Sequence, residues 1–156
     1  MKISSIGFLA LFFTHTMVFA ADAETDKKLR SAIAPIVQSL PMQVDKRTTL
    51  TSIMLEPDHV LTYRYSVDME GMLDDAAAQG NLTRAQLKAG LERRAGSGWT
   101  KLWAEQYIFP YIVKSNCTQP SMQSMLKLGY SINHTMADSY GNYLFERAVT
   151  RSDCNF

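Results

Sequence analysis

Few residues in this chain have types and spacing suited to chemistry. Beyond residue 20 there are only two histidines, His59 and His134. A general base needs a partner within hydrogen-bond reach, and a metal site needs three or four ligands at set spacing. Neither histidine has a second His, Cys or carboxylate at ligand spacing, so the sequence implies no metal and no cofactor. His59 follows a turn and reads as solvated. By strand alternation His134 shares a face with Tyr130, Ile132 and Met136, which reads as a partly buried structural position. His134 is also where a pocket with an acidic neighbour would turn the protein into an enzyme.

Two other patterns lack the geometry of their chemistry. Gly96-Ser97-Gly98 has neither the spacing nor the preceding strand of a nucleophile elbow, and reads as a flexible break between helices. Asp74 and Asp75 are adjacent, so on a helix they diverge by about 100° and cannot converge as an acid and base. No catalytic residue is assigned.

The aromatic series Trp99, Trp103, Tyr107 and Tyr111 offers recognition rather than reactivity. Steps of four place all four rings along one drifting helical stripe, provided the helix survives Pro110. Buried, the stripe is core. Exposed, it is an anchor for a protein partner, because Trp and Tyr dominate binding hot spots.

The sulfur chemistry is simpler. Cys117 and Cys154 are the only cysteines. In an oxidising compartment a lone pair forms a disulfide, and closing a loop of about 38 residues stabilises a fold by about 4 kcal/mol. Residues 1–20 read as a cleavable signal peptide, with Lys2 at the start, an apolar core over 6–13, and Val18-Phe19-Ala20 at the cleavage point. The apolar run is too short to span a bilayer and is broken by Thr14, His15 and Thr16. No cysteine follows the small residues, which argues against a lipid anchor. A periplasmic protein with no stable membrane insertion after cleavage is expected.

Composition narrows the partners. Lys and Arg total 16 against 15 Asp and Glu, so no basic excess points to nucleic acid or to an anionic membrane. The three N-x-Ser/Thr sequons at Asn81, Asn116 and Asn133 are chance matches in a bacterial chain; in a eukaryotic one they would suggest glycosylation.

The elements that must position these groups are legible in outline. Apolar residues at Leu29, Ile33, Ile36, Val37 and Leu40 predict a helix over 25–40, kinked or delayed by Pro35. Segments 49–55 and 60–67 alternate as strands around a Glu56-Pro57-Asp58-His59 turn. Residues 74–79 predict a short helix ended by Gly80. Thr83 and Gln86 form a capping box, with Leu82 and Leu87 as its staple. A further helix runs from Trp99 toward Pro110, and another from Pro120 to Gly129. Strands 130–136 and 143–149 close the chain. The predicted fold is one α+β domain over 21–156, with two β-hairpins in a four-stranded antiparallel sheet, helices on one side and a single disulfide.

Two stretches carry a likeness. One is Leu40-Pro41-Met42-Gln43-Val44-Asp45 with Thr49-Leu50-Thr51-Ser52 and Leu61-Thr62-Tyr63-Arg64-Tyr65. The other runs from Cys117 through Pro120, Gly129, Asp138 and Gly141 to Val149-Thr150-Arg151-Ser152-Asp153-Cys154. The arrangement resembles small exported or membrane-tethered bacterial proteins of unassigned role, and implies fold and compartment only. The functional expectation is a non-enzymatic periplasmic accessory protein with a protein partner in the envelope, either an inhibitor or immunity protein or an assembly factor. The alternative is a small periplasmic enzyme of unrecognised type.

Overall fold

The computed structural model describes residues 23–156, and the expected signal segment 1–20 lies outside them. Helix α1 (Ala23–Gln38) begins ahead of Pro35 and contains it. Its Leu29 and Ile33 pack partly buried on the core. A short edge strand β1 (Met42–Gln43) follows, then β2 (Thr48–Glu56) and β3 (Val60–Val67). The turn between β2 and β3 holds Asp58 and His59 both at positive φ, 60° and 58°.

Five helices come next: α2 (Met69–Gln79), α3 (Arg84–Ala95), α4 (Trp99–Trp103), α5 (Phe109–Thr118) and α6 (Pro120–Lys127). Both halves of the Thr83–Gln86 capping box are made at the start of α3. Between α4 and α5 the chain stays helical through a π turn, Ala104–Ile108. Strands β4 (Ser131–Asp138) and β5 (Tyr143–Val149) complete the sheet.

The sheet has five strands in the order β1-β2-β3-β4-β5 and is mixed, which corrects the expected four antiparallel strands. The two predicted hairpins form, but β3 and β4 pair in parallel, from Val60↔Ser131 to Val67↔Asp138. Residues 68–130 supply the reason. A parallel pair needs a crossover of a dozen residues or more, and this helical segment is far longer than that, so β4 can enter alongside β3 in the same direction. Strand β1 is only two residues long, too short to leave a period-two signal.

Alternation then sorts the two faces. Leu61, Tyr63, Ile132, His134 and Met136 share the buried face beneath the helices. On the other face Arg64, Glu146 and Ala148 are exposed, and Asn133 Nδ2 donates to Glu146 Oε1 at 2.8 Å. A register shift between Met136 and Ala137 breaks the alternation in β5, so consecutive Leu144 and Phe145 are both buried. The β4–β5 turn is held by Asp138, whose Oδ1 accepts the amides of Tyr140 and Asn142 at 2.9 and 2.8 Å.

One helical glycine is required by close approach. Asp68 caps α2 by accepting from Gly71 N at 2.9 Å, and Arg47 Nη1 donates to the same carboxylate at 2.8 Å. The Arg47 Nε reaches Asp75 Oδ2 at 3.2 Å, and Lys46 joins Asp75 at 2.7 Å. A Cβ on Gly71 would overlap both the guanidinium and the Asp68 carboxylate. Gly71→Ala should therefore destabilise by about 1 kcal/mol, because loss of the cap and pair outweighs the gain in helix propensity. Gly90 in α3 has only Arg93 Nη2 near its Cβ position, at 3.7 Å. Gly90→Ala should stabilise by up to about 1 kcal/mol. Urea unfolding of both variants checks the opposite signs; a shared sign would refute the Gly71 assignment.

Candidate partner-binding surface

The four-ring series divides in the middle. Trp99 and Trp103 are core, 9% and 7% exposed, whereas Tyr107 and Tyr111 are 56% and 74% exposed. The π turn explains the division. An i→i+5 turn inserts one extra residue, so the inward stripe moves by one position. It passes from Trp99 and Trp103 to Ala104, Ile108, Ile112 and Asn116, all buried or half-buried. Tyr107 is left outside, its ring tilted against Trp103 at 6.0 Å between centroids. Ala104, Ile108 and Ile112 do recur at steps of four in the sequence, but the larger aromatic signal masks them.

Beside Tyr107 lies a surface groove of about 640 Å³ along α3. Leu82, which precedes the helix, lines it and is 45% exposed. The α3 residues facing the groove include Leu87 and Leu91, one turn apart, and Gly90 between them, with Arg93 and Arg94 in the last turn. Basic side chains suit that end of a helix, where unpaired carbonyls carry partial negative charge.

His134 sits in the interior at 3% exposure. Its Nε2 lies 2.7 Å from Asn116 Nδ2, and among the described residues Nδ1 has no hydrogen-bond partner. Tyr63 and Tyr65 stack against the imidazole at 5.7 and 5.9 Å. Burial alone pushes its pKa down to about 4, so the ring is neutral at pH 7. The same burial raises the Tyr63 phenol to about 12. The sequon residue Asn116 is thus sealed inside with His134, only 4% exposed.

A cluster invisible to sequence spacing joins the N-terminal helix to the sheet. Asp26 Oδ1 accepts from Tyr130 Oη at 2.5 Å and lies 3.1 Å from His59 Nδ1. The hydrogen bonds from Tyr130 and then from His59 hold the Asp26 carboxyl below its usual pKa. The His59 ring also meets Tyr130 edge-on at 5.4 Å. These three residues lie far apart along the chain, and only the fold brings them together. Among the described residues no three His, Cys, Asp or Glu side chains converge as a metal site.

Cys117, in the last turn of α5, is joined to Cys154 just past β5, with Cα atoms 5.4 Å apart. The bond ties the long helical crossover to the end of the sheet.

No family model matches this chain, and no curated protein matches it. Solved structures do. A candidate secreted protein of Pseudomonas aeruginosa superposes with a TM-score of 0.55 at 11% identity, over 85% of this chain and 95% of its own. The pilotin EpsS of the Vibrio vulnificus type 2 secretion system gives 0.53 at 12%, over 86% and 99%. The type II secretion pilotin AspS of Vibrio cholerae gives 0.51 at 15%, over 85% and 97%. The chain therefore shares its α+β fold, across nearly their whole length, with a candidate secreted protein and with two pilotins of secretion machines.

Proposed function

We propose that this protein is an exported envelope accessory factor that works by binding a protein partner, as an assembly factor for a secretion or envelope machine. The observation that carries this reading is the fold shared with two type II secretion pilotins over almost their full chains. Fold alone does not set function, so the surface must supply the rest. Two features support it: a rigid scaffold closed by a disulfide, and the exposed Tyr107 and Tyr111 on one helical segment. In this reading residues 1–20 direct export to the periplasm, and residues 21–156 act as one domain.

The test is capture of envelope proteins from extract on the full chain, expressed for export with its disulfide closed. One stoichiometric partner is expected. The Tyr107→Ala/Tyr111→Ala variant should retain that partner about 30-fold less tightly, as for loss of about 2 kcal/mol at a hot spot. Its thermal midpoint should not change, because both side chains are largely exposed. Absence of any partner, or capture indifferent to both tyrosines, would refute the reading.

A further inference from the structure

The edge of the sheet beside β1 is only partly used. Strand β1 pairs with β2 at Thr49 and Leu50, and Val44 N donates to Thr48 O beside it. Past the register shift between Leu50 and Ser52, residues 52–56 of β2 pair with β3 alone. Among the described residues no other segment gives or takes a backbone hydrogen bond there. In an antiparallel ladder, alternate amides and carbonyls of an edge strand point away from its partner, so this stretch presents unpaired donors and acceptors. Ile53, Met54 and Leu55 carry no charge or proline to blunt it. A groove runs along this edge, bounded on the far side by α1. The α1 wall is Arg30, Ile33, Ala34, Val37 and Gln38, one face of the helix. The opposite wall is residues 53–57 without a gap. Consecutive strand residues point to opposite faces, so a groove that touches all of them follows the strand's edge rather than either face.

We infer that this slot receives an extended segment of a partner protein, added to β2 as a further antiparallel strand in line with β1. That the occupant is a partner rests on the proposed function; the slot itself shares no lining residue with the groove beside Tyr107. A strand is favoured over a helix because only a strand has backbone groups free to pair with the edge, whereas a helix pairs its own internally. Side chains of the added strand alternate between faces. One set meets Ile33, Ala34 and Val37 and is apolar; the other points away and can be polar. Val37 is 42% exposed, apolar surface that such a segment covers.

The test uses the full exported chain and a capped synthetic peptide of about nine residues in which valine and threonine alternate. Two further peptides carry N-methyl groups, one on the valine amides and one on the threonine amides. Alternate amides of a strand point to opposite edges, so only one of the two can still pair with β2. The parent peptide is expected to bind saturably and to slow hydrogen exchange of amides within residues 52–56. One methylated peptide should bind about as well as the parent, and the other at least about tenfold more weakly. Ala34→Glu/Val37→Glu should weaken the parent peptide about tenfold. Its thermal midpoint should be retained, because both positions are exposed. No binding, equal loss with both methylated peptides, or slowed exchange that maps elsewhere would overturn the slot. A concentration-dependent dimer that protects residues 52–56 would give the slot to a second copy and overturn the partner assignment. If an envelope partner is captured and ignores Ala34→Glu/Val37→Glu, partner binding stands and this slot falls as its seat. If none is captured, the proposed function fails, while the peptide series still decides the slot.

Discussion

Replacing both Cys117 and Cys154 with alanine is expected to lower the unfolding free energy by about 4 kcal/mol. The two residues are 37 apart in sequence, and they enclose α6, β4 and β5 in one covalent loop. In the chain-entropy model, opening such a loop returns about 13 cal/mol/K to the unfolded chain. For a domain of this size the loss corresponds to a fall in melting temperature of roughly 10–15 °C. Lost packing is the smaller addition: Cys117 is only partly buried, and Cys154, though buried in the core, loses only its sulfur on replacement by alanine. Thermal melts of the native protein, the reduced protein and the double variant make the comparison. The reduced protein and the variant should melt together, well below the oxidised form. A shift of less than about 2 °C would show that the bond does not constrain the unfolded chain as argued.

The second large effect is a loss of stability on mild acidification, carried by His134. Its pKa is about 4 in the folded protein against an ordinary 6.5, because burial disfavours the charged ring. As pH falls below 6.5 the unfolded chain takes up this proton before the folded chain does. The contribution is fully present above pH 6.5 and declines as pH falls toward 4, by about 3 kcal/mol in total. The depressed carboxylates act in a different window. Asp75, held near pKa 2 by its hydrogen bonds from Arg47 and Lys46, adds stability above pH 3.8 that is lost only as pH approaches 2. Urea unfolding at steps from pH 7 to pH 4.5 should therefore show a slope that His134→Gln removes, while glutamine still offers Asn116 a hydrogen-bond partner. If the slope persisted unchanged in His134→Gln, the protonation of His134 would not be its source.

How much was legible in the chain itself differs from feature to feature. Signals that act over a few residues carried through. Alternation marks β2 and β3, the Thr83–Gln86 box marks the start of α3, and Pro120 opens α6. The Cys117–Cys154 bond followed from counting cysteines and from the expected compartment. The candidate surface was only half legible. A stripe at steps of four assumes an uninterrupted α-helix, and the single extra residue of the π turn at Ala104–Ile108 swings Tyr107 and Tyr111 away from the core that holds Trp99 and Trp103.

By itself, then, the sequence determined the local elements, their α+β mixture and the disulfide, because caps, turns, alternation and paired thiols are settled by near neighbours or by simple count. Only the tertiary structure decided the parallel β3–β4 pairing, the Asp26–His59–Tyr130 cluster, the sealing of His134 against Asn116, and the groove between α3 and Tyr107. Each of these depends on segments separated by long stretches of chain. Their meeting is set by how the helical crossover packs onto the sheet, and no local pattern encodes that.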